Sequence, residues 1–405
     1  MSVEHPATTI HLMVLVHGIK GNHRELAYVK EALERELAAL FPNESKNTDK
    51  FLVHAATCND YDTLDGIEAG GRRLANEIND MIQNLALKQE ENEEKNRSDG
   101  SVNISLSILG HSLGGLYARY ALAFIDWDHS HSHPQGQLHG QETARVNTVR
   151  IIPKLFVTTA TPHLGIRDMT YWNVPQFMYP AGAWYMKQSG NDLLRYTNVI
   201  HRLCMDEEFL RPLARFSKRM AYTNAFSTDA AVPTSTAAFL SDSSHVLHVM
   251  DDTTEDNLLD VNSIFPSVRF QTQCSLNDSS LIDTLEPGSS DKNDVTLFSQ
   301  RLDSLGWTKV FIDVRSHIAA LWKRGHRAQD WDRILQQSTY TSAELNNLIS
   351  TFDWNTMPFG HSFLVASCKN SMYQWFYSGG RPLVDCIAKE LSQEMLLGSA
   401  ISAKK

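Results

Sequence analysis

A serine flanked by glycines is the clearest candidate nucleophile in the sequence. The motif G-H-S-L-G-G surrounds Ser112, with an apolar strand pattern directly before it and a helical pattern directly after it. This is the setting of a nucleophile elbow, a sharp turn that projects a serine hydroxyl above a sheet. Gly110 and Gly114 have no side chain where such a turn approaches neighbouring backbone, and His111 supports the turn. The motif predicts Ser112 as the nucleophile and the amide of Leu113 as an oxyanion donor.

A second oxyanion donor is expected from the loop H-G-I-K-G-N that follows the first apolar strand. A glycine-bearing loop at the carboxyl end of a strand can direct a backbone N–H toward the oxyanion. The amide of Ile19 is the candidate donor, next to Gly18. His17 is expected to support the loop through hydrogen bonds.

The orienting acid is expected to follow the serine in the chain, and the base to follow the acid. Asp229 fits this order, because it comes after a late strand and before the extended pair Val232-Pro233. Three other carboxylates lie in an acidic segment and are interpreted as surface charge: Asp242, Asp251 and Asp252.

Two histidines compete for the role of general base, which a nucleophilic serine requires. His361 follows the turn Pro358-Phe359-Gly360, which can hold an imidazole at a fixed angle, and it precedes an apolar run. His317 lies just past the strand that ends at Val314, beside polar residues. His361 is favoured, and His317 remains the alternative.

Strand and helix patterns alternate along the chain, which predicts an α/β fold with a mostly parallel, doubly wound sheet and helices on both faces. Strands are predicted at residues 10–16, 51–56, 102–109, 154–159, 220–222 and 309–314. Helices are predicted at residues 25–40, 70–87, 113–125 and 383–397, and the charged run 88–101 is predicted to be a loop.

One domain is expected over residues 1–405, with a core at about 10–240 and 300–397. Four stretches are interpreted as insertions into it: 126–149, 168–216, 241–296 and 316–354. The aromatic stretch 169–186 could form a lid or acyl-binding wall, or could simply pack in the core. The histidines at 129, 131 and 133 are interpreted as part of a solvated loop, without a metal.

The composition excludes several function classes. The chain of 405 residues carries a formal charge of −10, which argues against binding to nucleic acid through phosphates. Five widely spaced cysteines argue against a disulfide scaffold or zinc ribbon. No signal peptide, membrane-spanning run, P-loop or dinucleotide motif is recognised. A cytoplasmic protein without cofactor or metal is expected, with possible peripheral contact to membranes or lipid droplets left open.

These segments together resemble the DUF676 group of serine esterases, among the lipase-like α/β-hydrolases. The resemblance rests on His17-Gly18-Ile19, on the motif around Ser112, on the run T-P-H-L-G at 161–165, on Asp229 with Val232-Pro233, and on Trp307 before the last strand. It extends over about residues 10–365, although the interval before His361 is long. His163, within the T-P-H-L-G run, is interpreted as structural or pocket-lining.

The resemblance implies an α/β-hydrolase fold, a Ser-Asp-His triad and hydrolysis of carboxylic esters, expected to be those of lipids, without a cofactor. Two alternatives stay open. One is an acyltransferase or thioesterase that uses the same triad. The other is a catalytically silent hydrolase fold that serves as a lipid-binding module.

Overall fold

A computed structural model describes ten stretches of the chain. They are residues 9–40, 49–96, 102–127, 149–167, 179–226, 228–250, 268–274, 295–314, 337–349 and 360–397. Side chains are described over most of these stretches, with 89–96, 179–183 and 268–274 among the exceptions.

A nine-stranded sheet organises these stretches. Its strands are Thr9–Val16 (β1), Lys50–Ala55 (β2), Val102–His111 (β3), Val149–Thr159 (β4), Lys218–Asn224 (β5), Leu247–Met250 (β6), Val268–Cys274 (β7), Trp307–Asp313 (β8) and Thr339–Thr341 (β9). The strand order is β2-β1-β3-β4-β5-β8-β7-β6-β9. The first six in this order pair in parallel, whereas β7, β6 and β9 extend the sheet through antiparallel pairs. The predicted mostly parallel sheet is confirmed.

Helices connect the strands. They are Ala27–Leu40 (α1), Ile67–Asn96 (α2), Leu113–Ala121 (α3), Tyr179–Leu193 (α4), Val199–Met205 (α5), Glu207–Ala214 (α6), Thr234–Ala237 (α7), Val295–Asp303 (α8), Ser342–Ile349 (α9), Gly360–Phe363 (α10), Ser371–Tyr377 (α11) and Arg381–Leu396 (α12). Short 3₁₀ turns lie at His23–Leu26, Leu122–Phe124 and Ser378–Gly380.

Apolar side chains cover both faces of the parallel sheet, as the continuous apolar strands predict. Because side chains alternate along a strand, Leu12 and Val14 of β1 pack in a cluster with residues of α2 and α3. Met13 and Leu15 point the other way and pack with residues of α1 and α12. The sheet is therefore a rigid layer whose carboxyl edge carries the loops that follow each strand.

One stretch differs from the sequence expectation, and two others add strands to the sheet. The run 88–101, predicted to be a loop, is helical as far as Asn96. Its charged residues are typical of a solvated helix face as well as of a loop, so composition alone misled the prediction. The segments 241–296 and 316–354, interpreted as insertions, contribute β6, β7 and β9 to the sheet. The first expected insertion, 126–149, lies almost wholly outside the described residues.

Candidate active site

Ser112 lies at the sharp junction between β3 and α3. Its backbone has φ 54° and ψ −127°, a conformation that is strained for any residue with a side chain. The amide of Ser112 donates to the carbonyl of Thr159 at 2.8 Å, and its carbonyl accepts from Gly115 at 3.1 Å. These bonds fix the turn on β4 and on the first turn of α3. A strained serine between a strand and a helix is the local geometry that the G-H-S-L-G-G motif predicts.

Close backbone approach explains the two glycines beside the serine. A Cβ at Gly114 would lie 2.3 Å from the carbonyl oxygen of Val16, at the end of β1. A Cβ at Gly110 would lie 2.5 Å from the Cα of Gly115. Neither position has room for a side chain, because the neighbouring atoms belong to backbone.

The loop after β1 packs directly on the serine. A Cβ at Gly18 would lie 2.7 Å from the Cβ of Ser112, so the loop backbone lies against that side chain. The amide of Lys20 donates to the hydroxyl of Thr63 at 2.7 Å. Within the described part of the chain, the amide of Ile19 meets no acceptor, which leaves it available to a ligand.

The amide of Leu113 is the counterpart of Ile19 on the other side of the serine. It belongs to the first residue of α3, where helix N–H groups have no partner within the helix. Among the described hydrogen bonds it has no acceptor either. The helix N-terminus also favours a developing negative charge at this point. One sequence-predicted donor thus lies on the loop after β1 and the other at the start of α3, and both elements adjoin Ser112.

Asp229 is buried in the loop after β5 and accepts four hydrogen bonds. Its Oδ1 accepts from the amides of Ala231 at 2.8 Å and Val232 at 2.9 Å. Its Oδ2 accepts from Asn224 Nδ2 at 3.0 Å and lies 2.9 Å from His361 Nδ1. The two amides hold Oδ1 in place and so fix the direction of the second oxygen.

His361 lies in α10, and the fold brings its ring to Asp229 across 132 residues of sequence. The amide of Gly360 donates to the carbonyl of Thr228 at 2.7 Å, which ties α10 to the loop of the acid. The His361 ring also lies against His111, the residue before the serine, with ring centroids 4.8 Å apart. The bond from Nδ1 to the carboxylate leaves Nε2 as the ring nitrogen that can accept a proton.

The pKa values of the two neighbouring histidines are shifted in opposite directions. Burial alone lowers the pKa of His361, but the charge of Asp229, its hydrogen bond and the charge of Glu25 outweigh burial, so the pKa is raised above 6.5. Burial holds the pKa of His111 well below 6.5, and the neighbouring charge of His361 lowers it further. His111 is therefore neutral at physiological pH, and its Nδ1 lies 3.0 Å from the hydroxyl of Thr159.

Glu25 is a site residue that the sequence analysis missed. Its buried carboxylate accepts from the amide of Gly18 at 3.2 Å and so holds the oxyanion loop. Its carbonyl accepts from the amide of Cys368 at 3.2 Å, which ties the loop to the segment after His361. The only sequence signal was a glutamate at the start of an amphipathic helix, where a solvated position is the usual interpretation.

Asp60 is a second missed residue and supports the loop from the other side. Its Oδ1 lies 3.1 Å from Nε2 of His17 and accepts from the amide of His23 at 2.7 Å. Nδ1 of His17 lies 3.1 Å from the carbonyl of Gly18. The supporting role expected of His17 therefore has a geometric basis.

The remaining candidates have other described partners or lie outside the description. His163 is fully buried between Thr158 and Arg119, in a cluster with Trp307. Asp242 is described as a partner of Asn346. The following candidates lie outside the described residues: Asp251, Asp252, His317, the histidines at 129, 131 and 133, and the aromatic positions 169–178.

The described ranges contain neither a metal-binding cluster nor a membrane-spanning helix. No group of three or more His, Cys, Asp or Glu side chains is arranged to hold a metal ion there. No helix in that part of the chain has the length and apolar character needed to cross a bilayer.

Comparison with known proteins assigns the chain to a family. The model of the family described as "Putative serine esterase (DUF676)" matches residues 6–244. Those residues include Ser112, Asp229 and the loop after β1, whereas His361 lies beyond them.

Two Saccharomyces cerevisiae proteins are similar to the chain. It is 25% identical to "Putative lipase YDL109C" over 233 residues, 57% of this chain and 30% of that protein. It is 27% identical to "Putative lipase ROG1" over 241 residues, 58% of this chain and 29% of that protein. The matched region thus spans less than a third of the length of either relative.

Among solved structures, the mature Bacillus licheniformis lipase BlEst2 is similar at 17% identity. The match covers 59% of this chain and 74% of that one, with a TM-score of 0.23. The α/β-hydrolase fold of this chain is evident from its own elements: a parallel sheet in the order β2-β1-β3-β4-β5-β8, with a strained serine turn between β3 and α3.

Proposed function

The chain belongs to the family described as "Putative serine esterase (DUF676)", and on this basis we propose that it hydrolyses carboxylic esters of lipids through Ser112, His361 and Asp229. The observation that carries the proposal is the 2.9 Å hydrogen bond between His361 and Asp229, beside the strained serine turn. The names of the yeast relatives support lipid esters as the substrate class.

In the proposed acylation step, the Ser112 hydroxyl attacks the ester carbonyl carbon while Nε2 of His361 takes its proton. The tetrahedral oxyanion accepts hydrogen bonds from the amides of Ile19 and Leu113. Asp229 holds the imidazole tautomer and stabilises the imidazolium. Collapse of the intermediate transfers the proton from His361 to the leaving alcohol and leaves an acyl-serine.

In the proposed deacylation step, His361 takes a proton from water, and the resulting hydroxide attacks the acyl carbonyl. A second tetrahedral intermediate forms in the same oxyanion site. Its collapse releases the carboxylic acid, and the proton on His361 returns to the serine oxygen. Every step uses side chains and amides of the described site, and no cofactor enters.

Labelling with a fluorophosphonate, followed by intact mass, tests the proposal. One adduct is expected on wild type and on His317→Ala, and none on Ser112→Ala or His361→Ala over the same time. Loss of the adduct in His317→Ala with retention in His361→Ala would transfer the role of base to His317. A folded wild-type protein that forms no adduct would contradict the proposal and favour the silent lipid-binding alternative.

A substrate panel then separates the reaction classes that share the triad. Release of acid from esters of increasing acyl length, with slower release from matched thioesters, is expected of a lipid esterase. Preferential cleavage of the thioesters would favour a thioesterase. Transfer of the acyl group to an added alcohol in preference to water would favour an acyltransferase.

We infer action in the cytoplasm, at the surface of membranes or lipid droplets. No disulfide joins the cysteines whose side chains are described, which supports a reducing compartment. Fractionation of cells that express the tagged full chain tests the inference. Recovery in the secreted fraction would contradict it.

A further inference from the structure

The helix that follows the base exposes an apolar face. None of the side chains of α11 is buried. Met372 is 67% exposed, Trp375 is 78% exposed and Phe376 is 43% exposed. Residues three and four positions apart share one face of a helix, so these three side chains form one patch. Large apolar side chains that form a contiguous exposed patch mark an interaction surface more often than side chains scattered singly do.

This patch is attached to the element that carries the base. Phe363, two residues after His361, packs against Phe376 with ring centroids 6.2 Å apart and against Tyr377 at 5.2 Å. Gly380, just past the helix, lies so close to Phe363 that a Cβ would be 2.2 Å from its carbonyl oxygen. The position of α11 is therefore fixed relative to the site.

A second exposed aromatic patch is attached to the oxyanion loop. Trp184 on α4 is 83% exposed and Tyr185 is 65% exposed. The ammonium of Lys20 lies 3.3 Å from the centroid of the Tyr185 ring, and Lys20 directly follows Ile19. Exposed aromatic side chains thus lie next to the helix that carries His361 and next to the loop that carries Ile19.

The charge of these two segments is opposite to that of the whole chain. The chain has a net charge of −10, yet residues 179–191 and 360–384 contain no Asp or Glu. Asp192 and Asp385 follow these ranges directly, but Asp192 is buried and accepts from the amide of Ile67, and Asp385 is paired with Arg35. They carry Lys187, Lys369 and Arg381. Aromatic side chains among basic ones, without acidic neighbours on the same segments, are the combination that binds an anionic bilayer surface.

The acidic loop beside the oxyanion loop does not cancel this charge in full. Residues 57–65 include three carboxylates, and two of them are paired. Asp60 lies 2.5 Å from His23, and Asp65 forms an ion pair with Arg73. Arg73 therefore compensates part of the negative charge of this loop.

We propose that the docking face, formed by Met372, Trp375, Phe376, Trp184 and Tyr185, binds the surface of an anionic lipid bilayer. The aromatic and methionine side chains enter the interface, while the basic side chains meet the phosphate and carboxylate groups of the lipids. This proposal deepens the proposed function, since docking presents the serine to esters held in the bilayer. Binding itself does not require turnover, so the two can fail separately.

Flotation with vesicles tests the proposal, using phosphatidylcholine with and without phosphatidylserine. Wild type and Ser112→Ala are expected to float with the phosphatidylserine vesicles and to remain behind with phosphatidylcholine alone. Trp375→Ser is expected to weaken binding about tenfold, the equivalent of one large apolar side chain left in water. Lys369→Glu is expected to weaken it about fivefold or more, because one basic residue is replaced by an acidic one.

Two matched controls separate the docking face from general surface effects. Leu247, on β6, is 48% exposed, close to the exposure of Phe376, so Leu247→Ser is compared with Phe376→Ser. Lys50 is exposed at the start of β2, the edge strand at the other end of the sheet from β9. Lys50→Glu is therefore compared with Lys369→Glu. Only the variants of the docking face are expected to lose binding, with unchanged midpoints of thermal unfolding.

Three outcomes would overturn the proposal. The first is wild-type protein that does not float with phosphatidylserine vesicles. The second is equal loss in Leu247→Ser and Phe376→Ser. The third is a concentration-dependent dimer that Trp375→Ser dissociates, which would assign the face to a second copy of the chain. A fluorophosphonate adduct without vesicle binding would remove the docking proposal alone, and vesicle binding without an adduct would remove the proposed function alone.

Discussion

Replacing Asp229 with asparagine removes one charge and almost no volume, so the result depends on hydrogen bonds. The amides of Ala231 and Val232 require an acceptor and hold the asparagine oxygen at the position of Oδ1. The new NH₂ group then takes the position of Oδ2, where it faces Nδ2 of Asn224 and Nδ1 of His361. To accept from this group, Nδ1 of His361 must lose its proton, and the neutral ring then carries its proton on Nε2.

In that tautomer Nε2 carries a hydrogen and has no lone pair to accept the serine proton. The labelling rate is therefore expected to fall about 10⁴-fold, the loss found when a triad aspartate is replaced by asparagine. This corresponds to about 5.4 kcal/mol of transition-state stabilisation. Two donors that face each other in a buried position also cost about 1–3 kcal/mol of folding stability. The variant should remain folded, with a lower unfolding midpoint.

The assay is the second-order rate of fluorophosphonate labelling, measured by intact mass, beside the midpoint of thermal unfolding. Asp242→Asn is the matched control, since Asp242 accepts one hydrogen bond from Asn346 at 2.7 Å on the surface. It should label at the wild-type rate. If folded Asp229→Asn labels within tenfold of wild type, the tautomer argument is wrong and Asp229 is not the orienting acid.

Three further substitutions test the supporting structure. Gly114→Ala places a methyl group 2.3 Å from backbone and should lower stability by about 1–3 kcal/mol in urea unfolding; an unchanged midpoint would contradict the close approach. Glu25→Gln keeps an acceptor but removes a charge that raises the pKa of His361, so the acidic limb of the labelling profile should move to lower pH. An acidic limb at the wild-type pH would show that the charge of Glu25 does not affect the pKa of His361. Asp303→Asn leaves Lys309 buried without its ion-pair partner at 2.6 Å and should lower stability by about 3–5 kcal/mol, whereas near-native stability would mean the pair is dispensable.

The parallel strands were predictable because burial on both faces makes them continuous apolar runs. The run I-H-L-M-V-L-V of β1 carries this signal within seven residues. Two strands of the antiparallel extension were not predictable, since β6 has four residues and β9 only three, with polar and apolar positions mixed. Strands this short contain too few side chains to establish a period.

The residues of the candidate site also differ in whether the local sequence or only the tertiary fold determines their positions. Ser112 was predictable because a single turn dictates both its flanking glycines and its neighbouring elements. Asp229 and His361 could be ranked only through chain order and turn residues, as their contact spans 132 residues. Glu25 was out of reach, because its bond to the Gly18 amide depends on how the start of a helix folds back on a loop.

If His361 is the base, as we propose, its pKa affects labelling and folding stability in opposite directions. Since the folded-state pKa is raised above 6.5, the folded protein binds this proton more tightly than the unfolded chain does. The stabilisation is fully present below the unfolded pKa and is lost as pH rises through the folded pKa. The base, however, must be neutral to act, so the labelling rate rises over the same interval.

Other groups also titrate, so the contribution of His361 is obtained as a difference between wild type and a variant. His111, whose pKa is lowered, favours the unfolded state in acid and works against His361. The difference in unfolding free energy between wild type and His361→Gln cancels the background of distant groups, and burial keeps His111 neutral in the folded protein at the pH values where His361 titrates. That difference should shrink with rising pH across the interval in which wild-type labelling accelerates. A difference that stays constant, or grows with pH, would mean that His361 does not gain proton affinity on folding and that the charge of Asp229 fails to outweigh burial.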